Sequence, residues 1–316
     1  MAIYGSGSTP YDGATFTTMF GDEVTHLSQQ LASNLQGSVR TVRGVVGSTY
    51  KFPVMGKSGV VVNKAPGTDL DVMSSSAYGA FGTTAHASNE YKTEAGTAAA
   101  TFETASLKSY ATGEYVDNIE SLFTNVDIRS AYAESIAGAM NRAYDQVIID
   151  ALAAAEVEGG LALDILGDNG ATTGTGTTIT KATLLAAHKA LTANNVPMND
   201  RYLVTNAAGL EDLLGDTNLV TSQDGPLSQA LVSGGIANVM GFNVVISNLL
   251  PAGTTNTSDI MSFCFHKNAI GMAVGKDIGT EVNYIPEKLA TLISSQFSAG
   301  AVAIDNSQIV AIEGNQ

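Results

Sequence analysis

Positive charge is scarce in this 316-residue chain: 15 Lys and Arg stand against 30 Asp and Glu, a formal charge of −15. A dedicated nucleic-acid binder needs clustered cations to displace counterions from phosphates, and an anionic-membrane binder needs them at the lipid surface. The acidic balance argues against both classes. Charge of either sign is thin, at 14% of residues against roughly 25% in an average soluble protein. A folded chain with so little charge hides much of its surface against neighbours. The single cysteine, Cys264, excludes an internal disulfide framework and a cysteine-based zinc site. No basic residue precedes Arg40, so the start of the chain lacks the positive region of an export signal. No apolar run reaches the roughly 18 residues of a helical membrane span. The stretch Leu289 to Ile304 is broken by Ser294, Ser295, Gln296 and Ser298. These absences lead us to expect a soluble protein, made and folded in a reducing cytoplasm, with no membrane partner.

Catalytic signatures are missing too. Gly56-Lys57-Ser58 resembles the end of a phosphate-binding loop, but Lys51 stands where that motif needs glycine, and a strand-like segment follows instead of a helix. There is no GxSxG elbow, no HExxH and no EF-hand loop. The glycines of 170–176 do not open a helix after a strand, which argues against a dinucleotide site. His26, His86, His188 and His266 fall on four different elements and read as packed or solvated residues, not ligands. Nothing points to a Ser/His/Asp site assembled from distant elements. Asn256-Thr257-Ser258 matches a glycosylation acceptor, which without an export signal is accidental. The chain is expected to be no enzyme, with no cofactor and no metal.

What is present suggests two domains, or one elaborated domain, with ample chain for a core. After an irregular Gly/Ser/Pro start, Asp22 to Leu35 carries Val24, Leu27, Leu31 and Leu35 at helical spacing, with Asp22 as N-cap. From Gly44 to Glu94 only Tyr50 to Met55 and Gly59 to Val62 look like strands. A loop of about 50 residues is uncommon within a compact domain, so we expect an extended two-stranded arm ordered by a neighbour. Ala100–Ala105 and Leu107–Tyr115 read as strands. A helix follows over 126–155, with Ile128, Tyr132, Ile136, Met140, Ala143, Val147 and Ala151 as its stripe, Asp127 as cap and Gly159-Gly160 as stop. At 1.5 Å per residue it is roughly 43 Å long, and needs something long to lie against. The low-complexity segment 167–178 divides the chain. Beyond it we expect helices over 181–194, 207–214, 227–232 and 268–274, and strands over 201–205, 242–247, 261–265, 281–285, 292–297 and 308–312. The body is α+β with an antiparallel or mixed sheet.

Three adjacent segments are distinctive: RYLVTNAAGLEDLL, then LSQALVSGGIANVMGFNVVISNLLP, then FCFHKNAIGMAVG. Together they resemble the major capsid proteins of tailed bacteriophages, those with the Hong Kong-type phage capsid fold, and podovirus members in particular. The specific motifs lie between about Arg201 and Gly275; the first half is similar in layout more than in residues. The resemblance implies an N-terminal arm over 1–40, an extended β-hairpin loop over 41–98 and a peripheral domain over 99–178 with its long spine helix. An axial domain over 179–278 and a return to the peripheral domain over 279–316 complete it. Subunit contacts are expected, by position, at Phe52, Val54, Lys57, Val61, Lys64 and Leu70 of the loop and at Asp224 and Leu227 of the axial domain. Some relatives join a loop lysine to a neighbour's asparagine, but Lys57 and Lys64 read as ordinary loop lysines.

The implied function is structural: self-assembly through hexamers and pentamers into the icosahedral head that encloses the phage double-stranded DNA. The partners are further copies of the chain, a scaffolding protein, a portal protein, an optional decoration protein and DNA packaged without sequence-specific binding. With only some 40 residues before the loop, either scaffolding comes from a separate protein or this is a processed chain, and Met1 favours the former. The site is the virion capsid, built in the bacterial host cytoplasm. Shells close through cyclic contacts around five- and six-fold points, and an arm adds contact area without fixing the angle between subunits. Excess acid either keeps packed DNA off the wall, over roughly 8 Å at physiological salt, or simply keeps a concentrated protein soluble. Two alternatives stand beside the phage head: an encapsulin nanocompartment shell, which shares the fold, and a surface-layer or flagellin-like subunit. Flagellins begin and end in long heptad helices, which this chain does not.

Overall fold

The longest element is a helix, α1 (Ile128–Glu158, 31 residues), close to the expected 126–155. In the computed structural model the described residues are 29–54, 101–117, 128–158, 179–215, 238–253 and 259–315. At 1.5 Å per residue α1 spans about 47 Å. The strands that match it are unusually long. A four-stranded sheet has the order β1-β9-β10-β4, formed by β1 (Arg40–Arg43), β4 (Lys108–Asp117), β9 (Ile270–Ile285) and β10 (Ala290–Ala303). The 14 residues of β10 reach about 46 Å at 3.3 Å each, so helix and strand are the same length. They are joined by Ile293 against Val116 and Ile136 near the start of α1, and by Phe297 against Tyr144 further on, ring centroids 5.7 Å apart.

A second, five-stranded sheet has the order β11-β8-β5-β7-β6. Its strands are β5 (Arg201–Thr205), β6 (Asn238–Val239), β7 (Phe242–Ile246), β8 (Asp259–His266) and β11 (Ile309–Asn315). It is mixed: β5 runs parallel to β7 and antiparallel to β8. Alternation along each strand sends side chains to two separate cores. Val204, Phe263, Phe265, Ile309 and Ala311 join the cluster built on α1. Leu203, Cys264, Val310 and Ile312 join the cluster covered by α2 (Lys181–Ala193) and α3 (Ala207–Gly215). Helix α2 starts where Thr180 and Thr183 form a reciprocal capping box. It ends at Asn194, and Asn195 takes φ 59°, a conformation asparagine tolerates. The RYLVT and FNVVI strands and the helices 181–194 and 207–214 lie where the sequence predicts them, within a residue or so.

Four expectations are corrected. Residues 268–274 are not helical: a single 3₁₀ turn, Lys267–Ala269, runs straight into β9. The run AIGMAV is buried on both flanks, which periodicity cannot tell from a buried helix, and it has a backbone partner on each side, β1 and β10. Residues 29–35 are likewise non-helical, for a reason given below. Tyr132, expected on the apolar stripe, is 41% exposed, because the covered part of α1 begins further along. The tail does not return whole to the first sheet: β11 pairs with β8 in the second. The stretch expected as a helix over 227–232, and the cap and stop of α1, lie outside the described residues.

Among the described glycines, the one most crowded by backbone is Gly300, where β10 crosses the junction of β3 (Thr101–Ser106) and β4. A Cβ on Gly300 would lie 2.1 Å from the Ser106 carbonyl oxygen, whereas one on Gly279 would meet nothing nearer than 3.8 Å. Gly300→Ala is therefore expected to lower stability by about 1–3 kcal/mol or more in urea unfolding, with Gly279→Ala far milder; equal effects would contradict the packing. Burial also pushes the Cys264 thiol up to about 12. An unfolded thiol ionises near pH 8.5, so this group's stabilising contribution is present below that pH and fades as pH rises toward the folded value. Iodoacetamide at pH 8 is expected to leave folded Cys264 unmodified and to label it on unfolding; rapid native labelling would refute its burial.

Candidate assembly surfaces

Three regions stand out: a strap on α1, the ribbon that flanks residues 55–100, and the far end of the long sheet. The strap is residues 29–35. Asp145 lies fully buried in the middle of α1. Its carboxylate accepts from the Asn34 amide at 3.0 Å and the Leu35 amide at 3.2 Å, and also from the Gln30 side-chain amide and the Ser33 hydroxyl. Backbone N–H groups spent on a carboxylate are unavailable to an i−4 carbonyl, which is why the spacing of Leu31 and Leu35 does not produce a helix over 29–35; the rest of the expected helix, 22–28, lies outside the described residues. Arg142 donates to the Gln30 carbonyl at 3.1 Å and Asn141 to the Leu31 carbonyl at 2.7 Å. Leu35 is buried and Leu31 is 46% exposed. From Tyr144 to Leu152, α1 is buried at all positions but Gln146 and Asp150. The sheet covers one flank and the strap helps to cover another.

The foot of the loop is a ribbon of β2 (Thr49–Val54) with β3, antiparallel, Phe52 opposite Glu103. The outgoing strand thus pairs with the returning one, within the chain. Phe52, expected at a subunit contact, is instead 1% exposed. It packs with Ala105 and Ala273, and its ring sits where a Cβ on Gly271 would be, 2.7 Å away. That contact anchors the ribbon to β9, so Phe52 is a core residue of its own chain. Val54 is half-buried at the end of the ribbon. Lys57, Val61, Lys64, Leu70, Asp224 and Leu227 lie outside the described residues, as do His26 and His86. His188 stands edge-on to Phe242, and His266 accepts from the Asn268 amide at 3.2 Å. Both pack against their own chain.

The far end of the long sheet was not singled out by sequence. Beyond Val274 every residue of β9 is exposed or half-buried. The register sets Val282 beside Ile293, and Tyr284 beside Thr291, on the face that carries α1. Tyr115 pairs with Leu292 on the opposite face. Val282 is 59% exposed, Tyr284 53%, Tyr115 47% and Leu289 60%. Lys288 lies 3.8 Å above the Tyr115 ring, a cation–π contact. Leu289, in the turn between β9 and β10, holds φ 52°, a left-handed conformation that costs a leucine roughly 1–2 kcal/mol. A strained, exposed leucine at the tip of a hairpin is a candidate contact residue. β4, moreover, is an edge strand of ten residues.

Over residues 13–315 the chain matches the phage capsid protein family. It belongs to that family. The capsid protein is also similar to solved structures. Against "Capsid structure of the Cyanophage P-SCSP1u" the TM-score is 0.68 at 18% identity, covering 96% of this chain and 94% of that one. Against the Mycobacterium phage Che8 structure it is 0.59 at 18%, covering 94% and 97%. Against "Capsid of native GTA particle computed with C5 symmetry" it is 0.59 at 17%, covering 96% and 97%. No curated protein sequence matches the chain. The fold is the α+β Hong Kong-type phage capsid fold. The protein is a structural, non-enzymatic component of a homo-oligomeric capsid, and its place is the virion. A flagellin-like or surface-layer role is set aside by that membership.

Asp145→Asn would leave one acceptor oxygen where the carboxylate has two, and turn an NH₂ toward donors. Bonds to a charged group are worth about 1.5–3 kcal/mol. Exchange of the Asn34 and Leu35 amides is therefore expected to rise roughly ten- to a hundredfold by hydrogen-exchange NMR or mass spectrometry; unchanged exchange would show that the strap is held by other contacts.

Proposed function

We propose that this capsid protein closes, through hexamers and pentamers, the icosahedral head that encloses the double-stranded DNA of a tailed phage, podovirus-like in type. The observation that carries the reading is the far end of the long hairpin. Val282, Tyr284, Tyr115 and Leu289 offer apolar surface on both faces of one projecting sheet, and the turn that holds Leu289 is strained. Such a surface gains its stabilisation when a neighbour covers it.

The division into arm (1–40), extended loop (41–98), peripheral domain (99–178), axial domain (179–278) and returning tail (279–316) belongs to the same proposal, with 309–315 moved to the axial sheet. On it, Val54, Lys57, Val61, Lys64 and Leu70 meet an adjacent subunit, and Asp224 and Leu227 lie near the capsomer centres. A separate scaffolding protein, a portal, an optional decoration protein and non-specifically packaged DNA are the partners, and assembly takes place in the host cytoplasm. The low charge fraction and the acidic balance support an extensively covered shell protein with no affinity for DNA sequence.

Electron microscopy of the expressed full chain, with and without a scaffold, tests the reading: closed icosahedral particles are expected, and filaments or a lasting monomer would overturn it. Replacing Val282, Tyr284 and Leu289 together with Ser is expected to keep the circular dichroism of the fold while lowering particle yield at least about tenfold, since exposed side-chain changes cost little within one subunit but remove apolar contact between subunits. Particles filled with protein cargo would support an encapsulin-like shell instead.

A further inference from the structure

Three of the chain's fifteen Lys and Arg residues converge on one hollow of about 550 Å³ beside edge strand β1. Arg40 and Arg43 come from β1 itself, and Lys267 from the turn before β9; Thr41, Gly37 and Asn268 also line it. Arg43 is paired with Asp277 at 2.8 Å. Arg40 lies 6.0 Å from the Phe52 ring centroid. Neither Arg40 nor Lys267 has a carboxylate partner among the described residues. The hollow opens broadly to solvent and does not enclose its contents, which suits a segment of a macromolecule better than a small molecule.

Charge selects among macromolecules. Copies that each carry −15 repel one another at range, so they come together where local contacts of opposite sign outweigh the general repulsion. Acidic residues are plentiful on every copy, and cationic receptors are few. DNA is a poor fit, because its affinity comes from many cations tracked along successive phosphates, and here one group of three stands beside Asp277. Arginine's planar fork matches a carboxylate with two parallel bonds. We infer that this hollow receives a carboxylate-bearing segment of a second copy of the chain, so that each capsid subunit docks acid from a neighbour onto Arg40 and Lys267. The inference rests on the shell reading above.

The test uses assembled particles made from equal parts of ordinary and ¹⁵N-labelled full chain. A water-soluble carbodiimide condenses a lysine amine with a carboxylate in direct contact, forming an amide and passing the lost water to the reagent as a urea. Mass spectrometry is expected to find Lys267 linked to an Asp or Glu in peptide pairs of mixed isotope, and Lys267→Arg to remove those pairs while particles persist. Arg40→Glu with Lys267→Glu is expected to lower particle yield at least about tenfold. Intact particles in which Lys267 links only within its own copy, or to nothing, would overturn the inference. Binding of inorganic phosphate to the particles, lost in Arg40→Glu and without a mixed-isotope link, would assign the hollow to a small oxyanion and overturn it as well. If the unmodified chain forms no particles, the shell reading fails first and takes this inference with it. The isotope readout needs no variant, so a folding defect cannot produce it.

Discussion

The apolar contact between α1 and the β9–β10 hairpin is the constraint on which the rest depends. A helix of 31 residues gains little stability alone, since most helical stability in proteins comes from burying a face. It therefore needs a support of equal length, and only strands of unusual extent provide one. β9 begins inside the body, where Ile270, Met272 and Val274 are buried, and runs outward until its own side chains stand exposed, while β10 stays largely buried beside it. The same hairpin that supports the helix thus also projects apolar side chains into solvent. Stability of the subunit and reach toward a neighbour come from one element.

Polar groups then tie separate parts of the chain to this frame. Asp145 collects four donors from residues 30–35, and Arg201 closes the α2–β5 connection by donating to the Val196 and Pro197 carbonyls at 2.7 and 2.9 Å. Burial lowers the Arg201 pKa, and among the described residues no carboxylate forms a salt bridge with it; its charge rests on carbonyl oxygens and Thr192 near the C-terminal end of α2, where a helix favours a cation. Asp145 and Arg201 are thus each satisfied by a mixture of backbone and side-chain groups, which makes each joint specific at the cost of tolerance: removing either partner leaves an uncompensated polar group.

The proposed contact surfaces divide by physical type. The hairpin end is apolar and strained, and the β1 hollow is cationic in an acidic protein. Apolar area supplies binding strength that varies little with angle. Charge supplies register and discrimination. A shell in which one chain serves around both five- and six-fold points has use for both.

The 3.6-residue pattern of 126–155 and the strand runs beyond it determined that the chain is an α+β protein built on a long helix, and the RYLVT and FNVVIS runs marked the central strands of the second sheet. Those features are local: a periodic stripe or a β-branched run carries its own signal within about ten residues. Tertiary structure alone decided the rest. Residues 270–274 became a strand because β1 and β10 flank them, and 29–35 lost their helical spacing to a carboxylate more than a hundred residues away. Phe52 moved from an expected interface to the core because Gly271 leaves room for its ring. The exposed hairpin end and the cationic hollow were illegible for the same reason: each is made by register and proximity between distant segments, and no single stretch of sequence contains them.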